Sequence, residues 1–131
     1  MQLLIADDDS EDIELFQETL ENVQPDAELI VTRSGREAIS GLRACKPAVI
    51  FLDINIPEMN GWECLKHLKS DASFKDIPVI IYTTSSAKSD VDIASSLGAD
   101  RLVTKPDRFQ DLLKILSGII REIGGPNGSP A

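Results

Sequence analysis

Four short clusters in this 131-residue chain carry side chains that could do chemistry together: Asp7-Asp8-Asp9, Asp53-Ile54-Asn55, Thr83-Thr84-Ser85 and Thr104-Lys105-Pro106. Singly, each has a plain structural reading. The triple aspartate suits a helix N-terminus, where side-chain oxygens cap free N–H groups and negative charge meets the helix dipole. Thr83 could simply end a strand, and Lys105 could be a surface lysine before a turn-forming proline. Asp53 is harder to set aside. It closes the apolar run Ala48-Val49-Ile50-Phe51-Leu52, and a carboxylate there is partly desolvated and needs a partner, although a structural Asp capping a loop remains open.

Gathered at one place, the four clusters are not independent. Converging carboxylates repel unless a cation sits among them. Hard divalent cations take oxygen ligands, and Mg²⁺ binds one or two carboxylates while keeping several waters. The expected site therefore holds Mg²⁺ (or Mn²⁺) directly through Asp8, Asp53 and the main-chain carbonyl of Asn55, with Asp7 orienting a bound water. Lys105 offsets the remaining negative charge, and Thr83 offers a hydroxyl from the opposite side. This is the equipment of phosphoryl transfer, which needs a nucleophile, a metal on the phosphoryl oxygens and donors for the rest. Asp53 is the natural nucleophile, since a carboxylate forms a labile acyl phosphate. Lys105, the Thr83 hydroxyl and the Thr84 backbone N–H would hold the phosphoryl oxygens. No general base is evident; His67, the single histidine, falls in a helical segment and is expected at the surface. A slow covalent switch fits these residues better than a hydrolase. An aspartate-nucleophile phosphohydrolase would carry a second acid two residues on, where this chain has Asn55.

The elements that must position these clusters follow from hydrophobic period. Strands are expected at Leu3–Ala6, Ala27–Thr32, Ala48–Leu52, Pro78–Tyr82 and Arg101–Val103. The third lacks polar alternation, as in strands covered on both faces. Between them lie helix-period segments: one starting at Ser10, then those marked by Ala38, Ile39 and Leu42, by Trp62, Leu65 and Leu68, by Val91 to Leu97, and by Phe109 to Ile120. Five strands alternating with five helices imply an α/β doubly wound parallel sheet. In such sheets ligands bind beyond the carboxyl ends of the strands. Every strand but the second delivers polar or charged groups to that rim. The domain is read as residues 1–123, with Gly124 to Ala131 as a disordered tail or truncated linker.

Composition narrows the partners. Acidic residues number 22 against 13 basic, a net charge of −9, which argues against direct nucleic-acid binding because that needs clustered Lys and Arg. No apolar run approaches the roughly 18 residues that span a bilayer, so no membrane insertion is expected, and the absence of a signal peptide favours the cytoplasm. Cys45 and Cys64 lack metal-ligand spacing and read as reduced packing residues.

The motifs Leu3-Leu-Ile-Ala-Asp7-Asp8-Asp9, Asp53-Ile-Asn-Ile-Pro57-Glu-Met-Asn-Gly61, Pro78-Val-Ile-Ile-Tyr-Thr83-Thr84 and Thr104-Lys105-Pro106 resemble those of bacterial response-regulator receiver domains, and the resemblance spans residues 1–122. It implies a flavodoxin-like (βα)5 fold with strand order 2-1-3-4-5. It also implies that Asp53 accepts a phosphoryl group from a sensor histidine kinase or a histidine phosphotransfer protein. Asp7 and Asp8 are then the acidic pair, Thr83 the switch hydroxyl and Lys105 the family's lysine, with a Lys105–Pro106 bond that is commonly cis in such proteins. Phosphorylation would draw Thr83 inward and change the surface of the fourth helix, fifth strand and fifth helix, where a downstream protein binds; a homodimer through that surface stays open. Two residues depart from the pattern. Leu102 stands where the family often has Tyr or Phe as the second switch residue, and Thr84 stands where Ala, Gly or Ser is usual. The rival reading is a receiver-like interaction module that works without phosphorylation. Such modules usually lose one of the acidic pair, the acceptor Asp or the Lys, and here Asp7, Asp8, Asp53 and Lys105 are all present.

Overall fold

The computed structural model describes residues 1–124. Strands and helices alternate: β1 (Gln2–Ala6), α1 (Ser10–Val23), β2 (Glu28–Thr32), α2 (Gly35–Ala44), β3 (Val49–Leu52), α3 (Gly61–Ser70), β4 (Val79–Thr83), α4 (Lys88–Ser96), β5 (Arg101–Thr104) and α5 (Phe109–Gly124). The strands form one parallel sheet in the order β2-β1-β3-β4-β5, as the resemblance implies. The last helix takes in Gly124, one residue beyond the domain limit read from the sequence; the remaining tail lies outside the described residues.

Successive residues of a strand face opposite sides of a sheet, and apolar residues at both parities therefore need a helical layer on each face. On β1, Leu3 and Ile5 pack with Phe16 and Leu20 of α1 and with Leu112, Leu116 and Ile119 of α5. Leu4 and Ala6 pack the other way, with Ala38 and Leu42 of α2 and Leu65 and Leu68 of α3. The edge strands β2 and β5 are less covered than β3, which is buried throughout. On the α1/α5 side, Phe16, Phe51 and Tyr82 meet edge to face at centroid distances of 4.8 to 6.1 Å, the geometry favoured by ring quadrupoles. Of the apolar residues that mark α4 in the sequence, Ala94 is buried while Val91 and Ile93 are exposed.

The starts of α1, α2 and α3 are fixed by side-chain caps. Asp9 accepts from the N–H groups of Glu11 and Asp12, Ser34 from Glu37 and Asn60 from Glu63, each serving backbone donors that the helix cannot pair. The loop from β3 to α3 is drawn tight. Gly61 N–H donates to Ile54 O at 2.8 Å, and a Cβ at position 61 would stand 2.3 Å from Asp53 O. Only glycine fits there without displacing the backbone that carries Asp53. Gly61→Ala is accordingly expected to cost about 1–3 kcal/mol through overpacking, read as a lower urea midpoint; an unchanged midpoint would show that the loop yields freely.

Candidate functional site

Strand parity continues past the strand ends. Leu3 and Ile5 face the α1/α5 layer, as do Val49 and Phe51, and Val103 on β5. Two residues further along each strand stand Asp7, Asp53 and Lys105. Backbone bonds extend the ladders to hold them: Asp7 N–H donates to Thr32 O at 3.0 Å, Asp53 N–H to Ala6 O at 3.0 Å and Lys105 N–H to Thr83 O at 2.6 Å. Three residues far apart in sequence thus reach the same side of one rim.

Lys105 Nζ is the centre of the resulting cluster. It donates to Asp12 Oδ2 at 2.7 Å and to Asp53 Oδ2 at 2.9 Å, and lies 2.8 Å from Asp7 Oδ2. The last approach falls outside the angular range of a hydrogen bond, leaving Asp7 Oδ2 buried in ionic contact but with no aligned donor. The ammonium also lies 5.5 Å from the Tyr82 ring centroid, within range of a cation–π attraction. Burial works against the charge on Lys105, but hydrogen bonds to the surrounding carboxylates outweigh it and raise its pKa above the lysine norm. For Asp7 burial dominates and the pKa is raised, the contacts with Lys105 and the Asp9 N–H only partly opposing it.

The other residues singled out in the sequence fall around this core. Asp8 and Asn55 are exposed at the rim; the Asn55 N–H reaches Asp53 Oδ1 at 3.4 Å. Thr83 is buried, and by parity it lies with Val79 and Ile81 on the other face of the sheet. Its Oγ1 accepts from the Ser85 N–H at 3.4 Å, and among the described residues its hydroxyl makes no bond to Asp53. Thr84 is exposed. Leu102 is half-buried against the α2/α3 core, in register with Ile81. His67 is exposed, and both cysteines are free, with burial pushing the Cys64 thiol up to about 11. One expectation is overturned: the Lys105–Pro106 bond is trans, since the structure has no cis peptide bonds among the described residues. Trans is the isomer an X-Pro amide favours by about 0.5–1 kcal/mol.

Asp12 was not foreseen at the site. In sequence it reads as a first-turn acid that suits the helix dipole. The usable signal is its spacing from Phe16, because residues four apart share a helix face and Phe16 is wholly buried in the α1/α5 layer.

Among the described residues no three acidic, histidine or cysteine side chains enclose a metal by themselves. The donor set nevertheless fits Mg²⁺ or Mn²⁺. Such an ion needs only one or two carboxylates with waters for the rest, the rim offers the carboxylates of Asp8 and Asp53 close to the Asn55 backbone, and the buried Asp7 Oδ2 lacks an aligned donor.

The family model for the response regulator receiver domain matches residues 3–117. The chain belongs to this family. Response regulator Rcp1 of Synechocystis sp. is 34% identical over 124 residues, covering 89% of this chain and 84% of the relative. The crystal structure of the Mn²⁺-bound form of Rcp1 superposes with a TM-score of 0.81 at 33% identity, covering 92% of this chain and 91% of that one. That of the phosphorylated cyanobacterial phytochrome response regulator RcpA gives a TM-score of 0.84 at 33% identity and the same coverages. Receiver domains are signalling proteins of two-component systems, phosphorylated on an aspartate by histidine kinases, and they bind Mg²⁺ or Mn²⁺ and act on downstream targets. They have no catalytic role beyond their own phosphorylation. In this receiver domain, no helix among the described residues is long and apolar enough to cross a membrane.

The lysine-centred cluster sets a pH-dependent stability. Lys105→Met would leave Asp7 buried beside Asp53 without the ammonium, a loss of about 3 kcal/mol near neutral pH by analogy with broken buried pairs. The Asp7 pKa, already raised by burial, climbs further once Lys105 is gone. A carboxyl raised in the folded state favours folding below its unfolded value and loses that contribution as pH rises through the folded value. The deficit of the variant should therefore shrink on acidification, in urea unfolding compared at about pH 7 and about pH 5. A deficit independent of pH would show that the charge of Asp7 is not what Lys105 offsets.

Proposed function

We propose that Asp53 is the phosphoacceptor of this receiver domain. The observation that carries the reading is the seating of Asp53 with Asp7 and Lys105 on one side of the carboxyl rim, both carboxylates buried and sharing one ammonium. The donor is the phosphohistidine of a sensor histidine kinase or a histidine phosphotransfer protein. An Asp53 carboxylate oxygen attacks phosphorus and the O–P bond forms as the P–N bond breaks. The electron pair returns to the imidazole nitrogen, leaving an acyl phosphate on Asp53. When bound, Mg²⁺ or Mn²⁺ would neutralise phosphoryl oxygens, held by Asp8, Asp53 and the Asn55 carbonyl with Asp7 acting through water. Lys105 pairs with a phosphoryl oxygen, and the Thr84 N–H and Thr83 hydroxyl donate to the others. The Rcp1 and RcpA structures, with Mn²⁺ and with phosphorylation respectively, support these two states for a chain of this family.

For Thr83 to donate, its hydroxyl must leave the Ser85 N–H, so the β4–α4 loop moves with it. That couples phosphorylation to the surface of α4, β5 and α5, which carries the exposed Val91 and Ile93 and a groove of about 480 Å³ lined by Val103, Ile115 and Ile119 among others. This surface is where a downstream protein, or a second copy of the chain, would bind. Leu102 supplies no ring or hydroxyl to this switch, which therefore rests on Thr83. Free Cys45 and Cys64 fit a reducing, cytoplasmic setting. The domain limit near residue 123 and the tail beyond it belong to the same reading.

Trp62 reports on the site because it follows Gly61, which packs on the Asp53 backbone. Adding Mg²⁺ with beryllofluoride should change its fluorescence, and acetyl phosphate should add one phosphoryl group by mass. Both responses should vanish in Asp53→Asn. Silence of the unaltered protein in both would instead favour an interaction module that works without phosphorylation. The methyl of Thr84 narrows the approach of water, so Thr84→Ala should shorten the acyl phosphate lifetime; an equal lifetime would sink that role.

A further inference from the structure

We propose that Asp12 is a positioning residue that restrains Lys105 in the resting site and competes with the phosphoryl group for its ammonium. The inference rests on Asp53 being the phosphoacceptor. A lysine ammonium has three protons, and here all its near partners are carboxylates: Asp12 at 2.7 Å, Asp7 at 2.8 Å and Asp53 at 2.9 Å. Asp7 and Asp53 arrive from strand ends, whereas Asp12 arrives from α1 and makes the shortest, well-aligned bond.

A phosphoryl group on Asp53 removes that carboxylate's charge and carries its oxygens beyond the present Asp53 oxygen, so Nζ has to shift to reach them and strains its contacts with Asp7 and Asp12. Asp7 is fully buried and cannot exchange Nζ for water. Asp12 keeps 31% of its side chain exposed, so its carboxylate can be rehydrated when Lys105 leaves. Asp12 is therefore the bond that breaks, and its strength is subtracted from the pairing of Lys105 with the phosphoryl group. The same carboxylate also repels incoming negative charge.

Asp12→Asn keeps the shape but replaces a charge-assisted hydrogen bond with a neutral one of roughly half the strength. Beryllofluoride binding in the presence of Mg²⁺, followed by Trp62 fluorescence, should tighten about fivefold, and Asp12→Ser should move it the same way. The free protein supplies a second readout: the Lys105 side-chain ¹⁵N resonance should shift and its protons should exchange faster with water in Asp12→Asn than in the parent. If the parent fails to bind Mg²⁺ with beryllofluoride, the phosphoacceptor reading itself falls. If the parent binds and Asp12→Asn binds equally or more weakly, only the role of Asp12 is overturned. Tighter binding with an unchanged Lys105 resonance would reduce Asp12 to plain charge repulsion and would also overturn positioning.

Discussion

A single ammonium holds the functional end of this molecule together. Lys105 Nζ lies within 3 Å of oxygens from Asp7, Asp12 and Asp53, so any two of those oxygens are less than about 6 Å apart. Two like charges at that separation repel by roughly 3 kcal/mol at an effective dielectric of 20. Three such pairs without a central cation would rival the whole stability of a small domain. One lysine cannot neutralise three carboxylates, and Asp8 stands exposed next to them. The resting site thus keeps a negative excess, which suits it to a divalent cation and leaves it a poor place for a phosphoryl group without one.

The arrangement depends on strand parity more than on loop geometry. Because β1, β3 and β5 are parallel and the ladders extend beyond their last residues, Asp7, Asp53 and Lys105 are placed by backbone bonds within the sheet. The same rule sends Thr83 and Leu102 to the opposite face, with Ile81 and the α2/α3 core. The charge cluster and the proposed switch residues therefore lie on opposite faces of the sheet and meet at its rim. In the proposed switch, phosphorylation of Asp53 would reach the second face by drawing the β4–α4 loop over that rim, at the expense of the Thr83–Ser85 contact.

Most of this was legible in the sequence for identifiable reasons. Apolar runs and helix-period segments found the strands to within about one residue, because buried parallel strands leave an almost uninterrupted signal. Differences lie at the ends, as where Pro78, lacking an N–H, precedes β4 and Thr83 completes it. Placing polar groups after each strand located Asp7, Asp53, Thr83 and Lys105. Asp12 escaped because a first-turn acid has a sufficient local explanation in the helix dipole, and its second partner is 93 residues away. Likewise, the pattern Val91, Ile93, Ala94 and Leu97 identifies α4 correctly, yet it cannot say that two of these residues face outward. Periodicity reports which residues share a helix face, and burial depends on what the rest of the chain lays over it.

The placement of Leu102 bears on how the two faces communicate. It is half-buried, in register with Ile81 on β4, and packs against the same core as the helices on its side. A ring at this position can move between packed and exposed states with a large change in buried area and, for tyrosine, a change in hydrogen bonding. Leucine offers less area and no polar handle, so its two positions differ less in free energy and it can bias a conformational equilibrium less. A ligand shifts an equilibrium only by its differential contacts with the two states. In the proposed switch those contacts come from the charge cluster and the Thr83 hydroxyl, so the strength of signalling would be set at the Lys105 side of the sheet, where release of the ammonium would govern the stability of the phosphorylated state.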